Sequence, residues 1–144
     1  MNLLNIAVGI FVLLELSNIF ALYFRPTTKH ANAIGMFKAW EKSKNDPEVH
    51  SLVRYLVYWV AGSKLIFIGL IFVIFVFGDE LTKVISVVAL ILSISTFYWK
   101  LFPLIRDMDN KGEISPKGYS KTLAVMILMF ILVLGSVLLY TLIA

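Results

Sequence analysis

Residues 52–77 read LVRYLVYWVAGSKLIFIGLIFVIFVF, and past Arg54 only Lys64 brings a formal charge into the run. A helix needs about 20 apolar residues to cross a hydrocarbon core of about 30 Å. This stretch exceeds that length. Lipid offers no partner for backbone N–H and C=O groups, and a helix pairs them within one segment. The stretch therefore predicts a transmembrane helix, and the rest of the chain is read outward from it.

On its C-terminal side Gly78-Asp79-Glu80 separates it from a second apolar run over 81–102. Gly78 suits a helix end and Asp79 suits a cap on the next helix, which predicts an antiparallel hairpin. Two further runs, 3–24 and 119–143, have spanning length. The first lacks Lys or Arg ahead of it, is too long for a signal-peptide core and contains Glu15, so it reads as an uncleaved span. The expected fold is all-α, a single four-helix transmembrane bundle with loops at 25–51 and 103–118.

Composition agrees. Sixty percent of the residues are hydrophobic, mean hydropathy is +0.88, and only 15% are charged, against about a quarter in soluble domains. With no cysteine, disulfides, thiolate metal sites and cysteine nucleophiles are excluded. Thirteen Lys and Arg face nine Asp and Glu, but the basic residues flank the apolar runs. That placement points to topology and lipid headgroups rather than to nucleic acid.

Arg25, Lys29, Lys38, Lys42, Lys44 and Arg54 fall in or beside the first loop, and Lys100, Arg106, Lys111, Lys117 and Lys121 in or beside the other long one. The 78–80 connection carries none. Positive residues favour the cytoplasm, so both long loops are expected there, with both termini outside and the cell (inner) membrane as the location. Trp59, Tyr98, Trp99 and Tyr119 would then sit near the cytoplasmic interface.

In the first loop Ile34, Met36, Phe37 and Trp40 recur at near-helical spacing among Lys38, Glu41 and Lys42. This predicts a short amphipathic helix from Ala31 to Lys44, with Phe37, Trp40, Lys38 and Lys42 meeting membrane lipid or a protein partner at the cytoplasmic face. Asn45-Asp46-Pro47-Glu48 reads as a helix start. In the second loop Asp107, Asp109 and Gly112 match the opening of an EF-hand calcium loop. Lys111 at its fifth position and Gly118 at its twelfth do not, and a polar turn is the plainer reading. His30 and His50, even with Glu48, fit no metal-ligand spacing. No metal and no cofactor are expected.

Two charges lie deep in spans. Glu15 precedes Phe24, and Lys64 follows Tyr55, by about nine residues each, which sets both about 13 Å from the same edge. Antiparallel neighbours would let them pair, although side chains lean toward their own helix N-terminus and so apart. Asn18 shares the face of Glu15, and Ser86, Ser93, Thr96 and Lys100 form a stripe on the third span. Glu15, Asn18, Lys64, Ser93 and Thr96 are the expected intramembrane polar site. Small residues at Ala61-Gly62-Ser63 and Gly135-Ser136 allow close helix approach.

No catalytic constellation emerges, and an accessory, assembly or lipid-interacting membrane protein that is not an enzyme is the first expectation, with association into oligomers open. In size and in Glu15 on its first span, the chain resembles small multidrug-resistance transporters, which would imply proton-coupled transport through Glu15. The long first loop and Lys64 depart from that pattern. The topology is similar to that of membrane-associated eicosanoid and glutathione metabolism proteins, which would imply an enzyme acting on a lipophilic substrate. The Arg/Asn/Glu pattern of that family is not evident around Glu48 to Arg54.

Overall fold

A computed structural model describes residues 3–29 and 33–143, all helix and connecting turns with no strand among them. The order is α1 (Leu3–Phe24), a 3-10 turn (Ile34–Met36), α2 (Lys38–Ser43), α3 (Pro47–Phe77), α4 (Glu80–Ser95), a second 3-10 turn (Thr96–Tyr98), α5 (Leu101–Asn110) and α6 (Tyr119–Ile143). Four helical stretches, counting 80–110 as one, are long and apolar enough to cross a membrane.

The helix starts follow local chemistry. Asp46 caps α3, its Oδ1 accepting from the Glu48 and Val49 N–H groups, and Pro47 occupies the first turn, where no N–H is needed. Asp79 caps α4 by accepting from the Thr82 N–H at 2.7 Å. Gly78 ends α3 in extended rather than left-handed backbone.

Two expectations are corrected. The third span is not one helix over 81–102. α4 ends at Ser95, a tight turn follows, and α5 carries the chain to Asn110, so the first half of the expected 103–118 loop is helical. Pro103 has no N–H to continue the ladder and sits in the first turn of α5. Ser95 Oγ and Thr96 Oγ1 donate back to the Ile91 and Ser93 carbonyls at 2.8 and 2.6 Å, bonding the last turn to itself.

The single amphipathic helix over 31–44 is also interrupted. Its expected start at Ala31, like His30, lies outside the described residues. Phe37 is extended (φ −89°, ψ 124°) and forms an isolated antiparallel bridge with Ile114. The Lys38 N–H donates to the Glu113 carbonyl and the Ser115 N–H to the Met36 carbonyl, both at 2.9 Å. Gly35 makes this course possible. Its N–H donates to Pro26 O at 2.8 Å, and a Cβ there would run into the Thr27 and Thr28 backbone.

Packing explains where a site can form. One core draws on all four long helices through Leu4, Val8, Ile71, Val87, Leu90 and Leu134. A second joins α1 and α3, with Ala61 fully buried among Ile19, Leu22 and Val57 and Ile34 of the first 3-10 turn packed against it. A third gathers Ile105, Tyr119 and Leu123 with Met36 and Ile114. Toward the end that carries the basic loops, α3 thus leans on α1 while α4 and α5 accompany α6. The divergence opens a gap between α3 and α4.

Candidate functional site: an ion pair at the back of an apolar groove

Lys64 on α3 and Glu15 on α1 meet where these two helices pack. Lys64 Nζ donates to Glu15 Oε2 at 2.7 Å and to Asn18 Oδ1 at 2.6 Å. The geometry follows from helix direction. α3 starts at the basic-loop end, so Lys64 leans toward that end, where Asn18 stands one turn nearer than Glu15. The four-carbon lysine stem spans both acceptors. Beside Lys64, Ala61 is fully buried among Ile19, Leu22 and Val57, and a Cβ at Gly62 would meet the Tyr23 hydroxyl at an ordinary contact distance of 3.4 Å.

The pair is not sealed. The side chains of Lys64 and Glu15 are 30% and 25% exposed. Both line an open-sided groove of about 230 Å³, walled by Phe11 of α1, Phe67 and Ile68 of α3, and Leu90, Ser93 and Ile94 of α4. Four expected residues therefore come to one place: Glu15, Asn18 and Lys64 bond directly, and Ser93 lines the same groove. Thr96 does not join them, because its hydroxyl is committed to the Ser93 carbonyl. Ser86 likewise bonds to its own helix, at Thr82 O. Two of the four residues in the expected polar stripe, Ser86 and Thr96, thus bond to their own helix. The groove itself had no sequence signal, since it comes from the divergence of α3 and α4.

At the basic-loop end the residues fall differently from expectation. Trp40 is 4% exposed and packs against His50 with the rings tilted by 53° and their centroids 4.8 Å apart. Ser43 Oγ lies 2.8 Å from both the Trp40 carbonyl and His50 Nδ1. Its one proton serves a single acceptor; when it goes to the carbonyl, His50 Nδ1 must carry the proton of the second bond. Phe37 is half-buried against the third core. These two rings point into the protein, and Lys38 and Lys42 point out of it.

The segment that resembled an EF-hand opening does other work. Asp109, 4% exposed, accepts from the Gly118 N–H at 2.9 Å, the Ser120 N–H at 3.0 Å and the Ser120 hydroxyl at 2.6 Å. It ties the end of α5 to the start of α6, where Gly118 has φ +88°. Asp107 turns away to pair with Lys111 at 2.6 Å. Among the described residues no three His, Asp or Glu side chains come together as metal ligands.

No known protein family, curated protein or solved structure matches this chain. The functional reading rests on the residues alone.

Proposed function

We propose that this is a non-catalytic integral membrane protein of the accessory or lipid-interacting kind, in which the Glu15–Lys64 pair fixes the register of α1 against α3. One observation carries the reading: Lys64 Nζ lies within 2.7 Å of Glu15 and 2.6 Å of Asn18. Ionisable groups in spans are costly unless paired. Here one cation meets one anion and one amide, so the constellation is neutral and its strongest donor is engaged. The Lys64 ammonium occupies the place on this carboxylate that a passing cation would need, which separates this reading from transport.

The positive-inside rule supports an orientation with the basic loops in the cytoplasm and both termini outside, in the cell membrane. Lys38 and Lys42, exposed on that side, suit anionic headgroups or an acidic partner. With Phe37 and Trp40 turned inward, the contact would be electrostatic rather than an inserted apolar face.

The test is ion flux in liposomes under a pH gradient, comparing wild type, Glu15→Gln and protein-free vesicles. This reading expects all three to leak alike. Flux that is present in wild type and abolished by Glu15→Gln would replace it with proton-coupled transport.

A further inference from the structure

We infer that the groove between α3 and α4 binds a neutral lipid bearing a free hydroxyl, with the hydroxyl seated on the Glu15–Lys64 pair. The inference rests on the fixed, neutral pair proposed above and adds a ligand class to it.

The chemistry of the groove selects the class. Its walls are aromatic and aliphatic (Phe11, Phe67, Ile68, Leu90 and Ile94), and its polar atoms converge on Glu15, Lys64 and Ser93. An ammonium has three protons, and two are directed at Glu15 Oε2 and Asn18 Oδ1. The third, and Glu15 Oε1, take no part in these bonds. A hydroxyl both accepts and donates, so a single one can satisfy the ammonium and the carboxylate together. An alkane would cover these accessible charges and return nothing, and leaving such groups unpaired is costly. An anionic or cationic head would add a net charge to a neutral pair in a medium that cannot solvate it.

Depth and size narrow it further. The pair is about 13 Å from the edge marked by Phe24 and Tyr55. Charged headgroups are held at the interface, whereas a lone hydroxyl reaches this level at far lower cost. The groove, at about 230 Å³, is below the range of about 300–1,000 Å³ for pockets that enclose whole drug-sized ligands. It fits the hydroxyl end of a lipid, with the tail leaving through the open side between α3 and α4.

The experiment uses purified full-length protein in phosphatidylcholine vesicles with a diazirine-bearing hexadecanol as the photoprobe. Labelled residues are mapped by mass spectrometry, and unlabelled hexadecanol, hexadecane and palmitate compete. The expected result is labelling at Phe67–Ile68 and Leu90–Ile94, with hexadecanol competing about tenfold better than hexadecane. Ser93→Phe, which puts a ring into the groove, should abolish that labelling, and Glu15→Leu/Lys64→Met, which removes both the donor and the acceptor, should erase the preference for the alcohol. Equal competition by hexadecane, stronger competition by palmitate, or labelling spread evenly over all four helices would overturn the inference. Thermal stability without probe reads the pair separately, so a failed ligand assignment is distinguishable from a failed ion pair.

Discussion

Lys64 Nζ lies 2.7 Å from Glu15 Oε2 although the two side chains leave their helices leaning in opposite directions along the shared axis. The lysine stem crosses that offset, and Asn18, one turn nearer the basic loops, takes a second proton at 2.6 Å. The pair thus depends on α1 and α3 approaching closely where Ala61 is fully buried. Ala61→Leu should force these helices apart and cost about 1–3 kcal/mol. Thermal denaturation in a mild detergent would show it as a lowered midpoint.

Gly35→Ala tests the course of the first loop. The new methyl would meet the Thr27 and Thr28 backbone, so the bridge between Phe37 and Ile114 should loosen at a cost of about 1–3 kcal/mol. Hydrogen exchange should speed up at the Lys38 and Ser115 amides, with the amides of α6 unchanged.

Asp109 ties α5 to α6 through three hydrogen bonds. Asp109→Ala should destabilise the protein by about 1–3 kcal/mol and raise exchange at the Gly118 and Ser120 amides. Millimolar calcium should leave the wild-type melting midpoint where it is, because this carboxylate is already committed.

Asp79 supplies a pH dependence at the opposite end. The Thr82 hydroxyl and N–H hold its carboxyl below its ordinary value. A carboxyl whose pKa is lower folded than unfolded stabilises the fold above its unfolded value, and loses that contribution as pH falls through its folded value. The gap in melting midpoint between wild type and Asp79→Ala should therefore be constant above about pH 5 and close in more acidic buffer. A gap unchanged down to about pH 2 would show that the cap acts without its charge.

The four long apolar helical stretches were legible because length and apolarity are properties of a segment by itself. Leu3–Phe24 and Tyr119–Ile143 have the expected bounds. The α3 start at Asp46-Pro47 and the α4 cap at Asp79 were legible because capping is local chemistry. What was missed depends on contacts between distant segments. The 31–44 periodicity of apolar residues is real, but Phe37 is taken by Ile114 and Trp40 by His50. The segment around Asp109 read as a polar turn, and the tie that Asp109 makes was not legible because its partner, Ser120, lies eleven residues on. The break after Ser95 needed Pro103 and the back-bonded hydroxyls read together. For the pair, the sequence supplied the common depth of Glu15 and Lys64, while the contact needed the packing of α1 on α3.

A double-mutant cycle on Glu15→Gln and Lys64→Met, read as unfolding free energy in one detergent, tests the central claim most directly. Each single change should strand a charge, and the double variant should recover much of the loss, with a coupling of about 1–3 kcal/mol. Single losses that simply add in the double variant would mean that Glu15 and Lys64 do not hold α1 to α3.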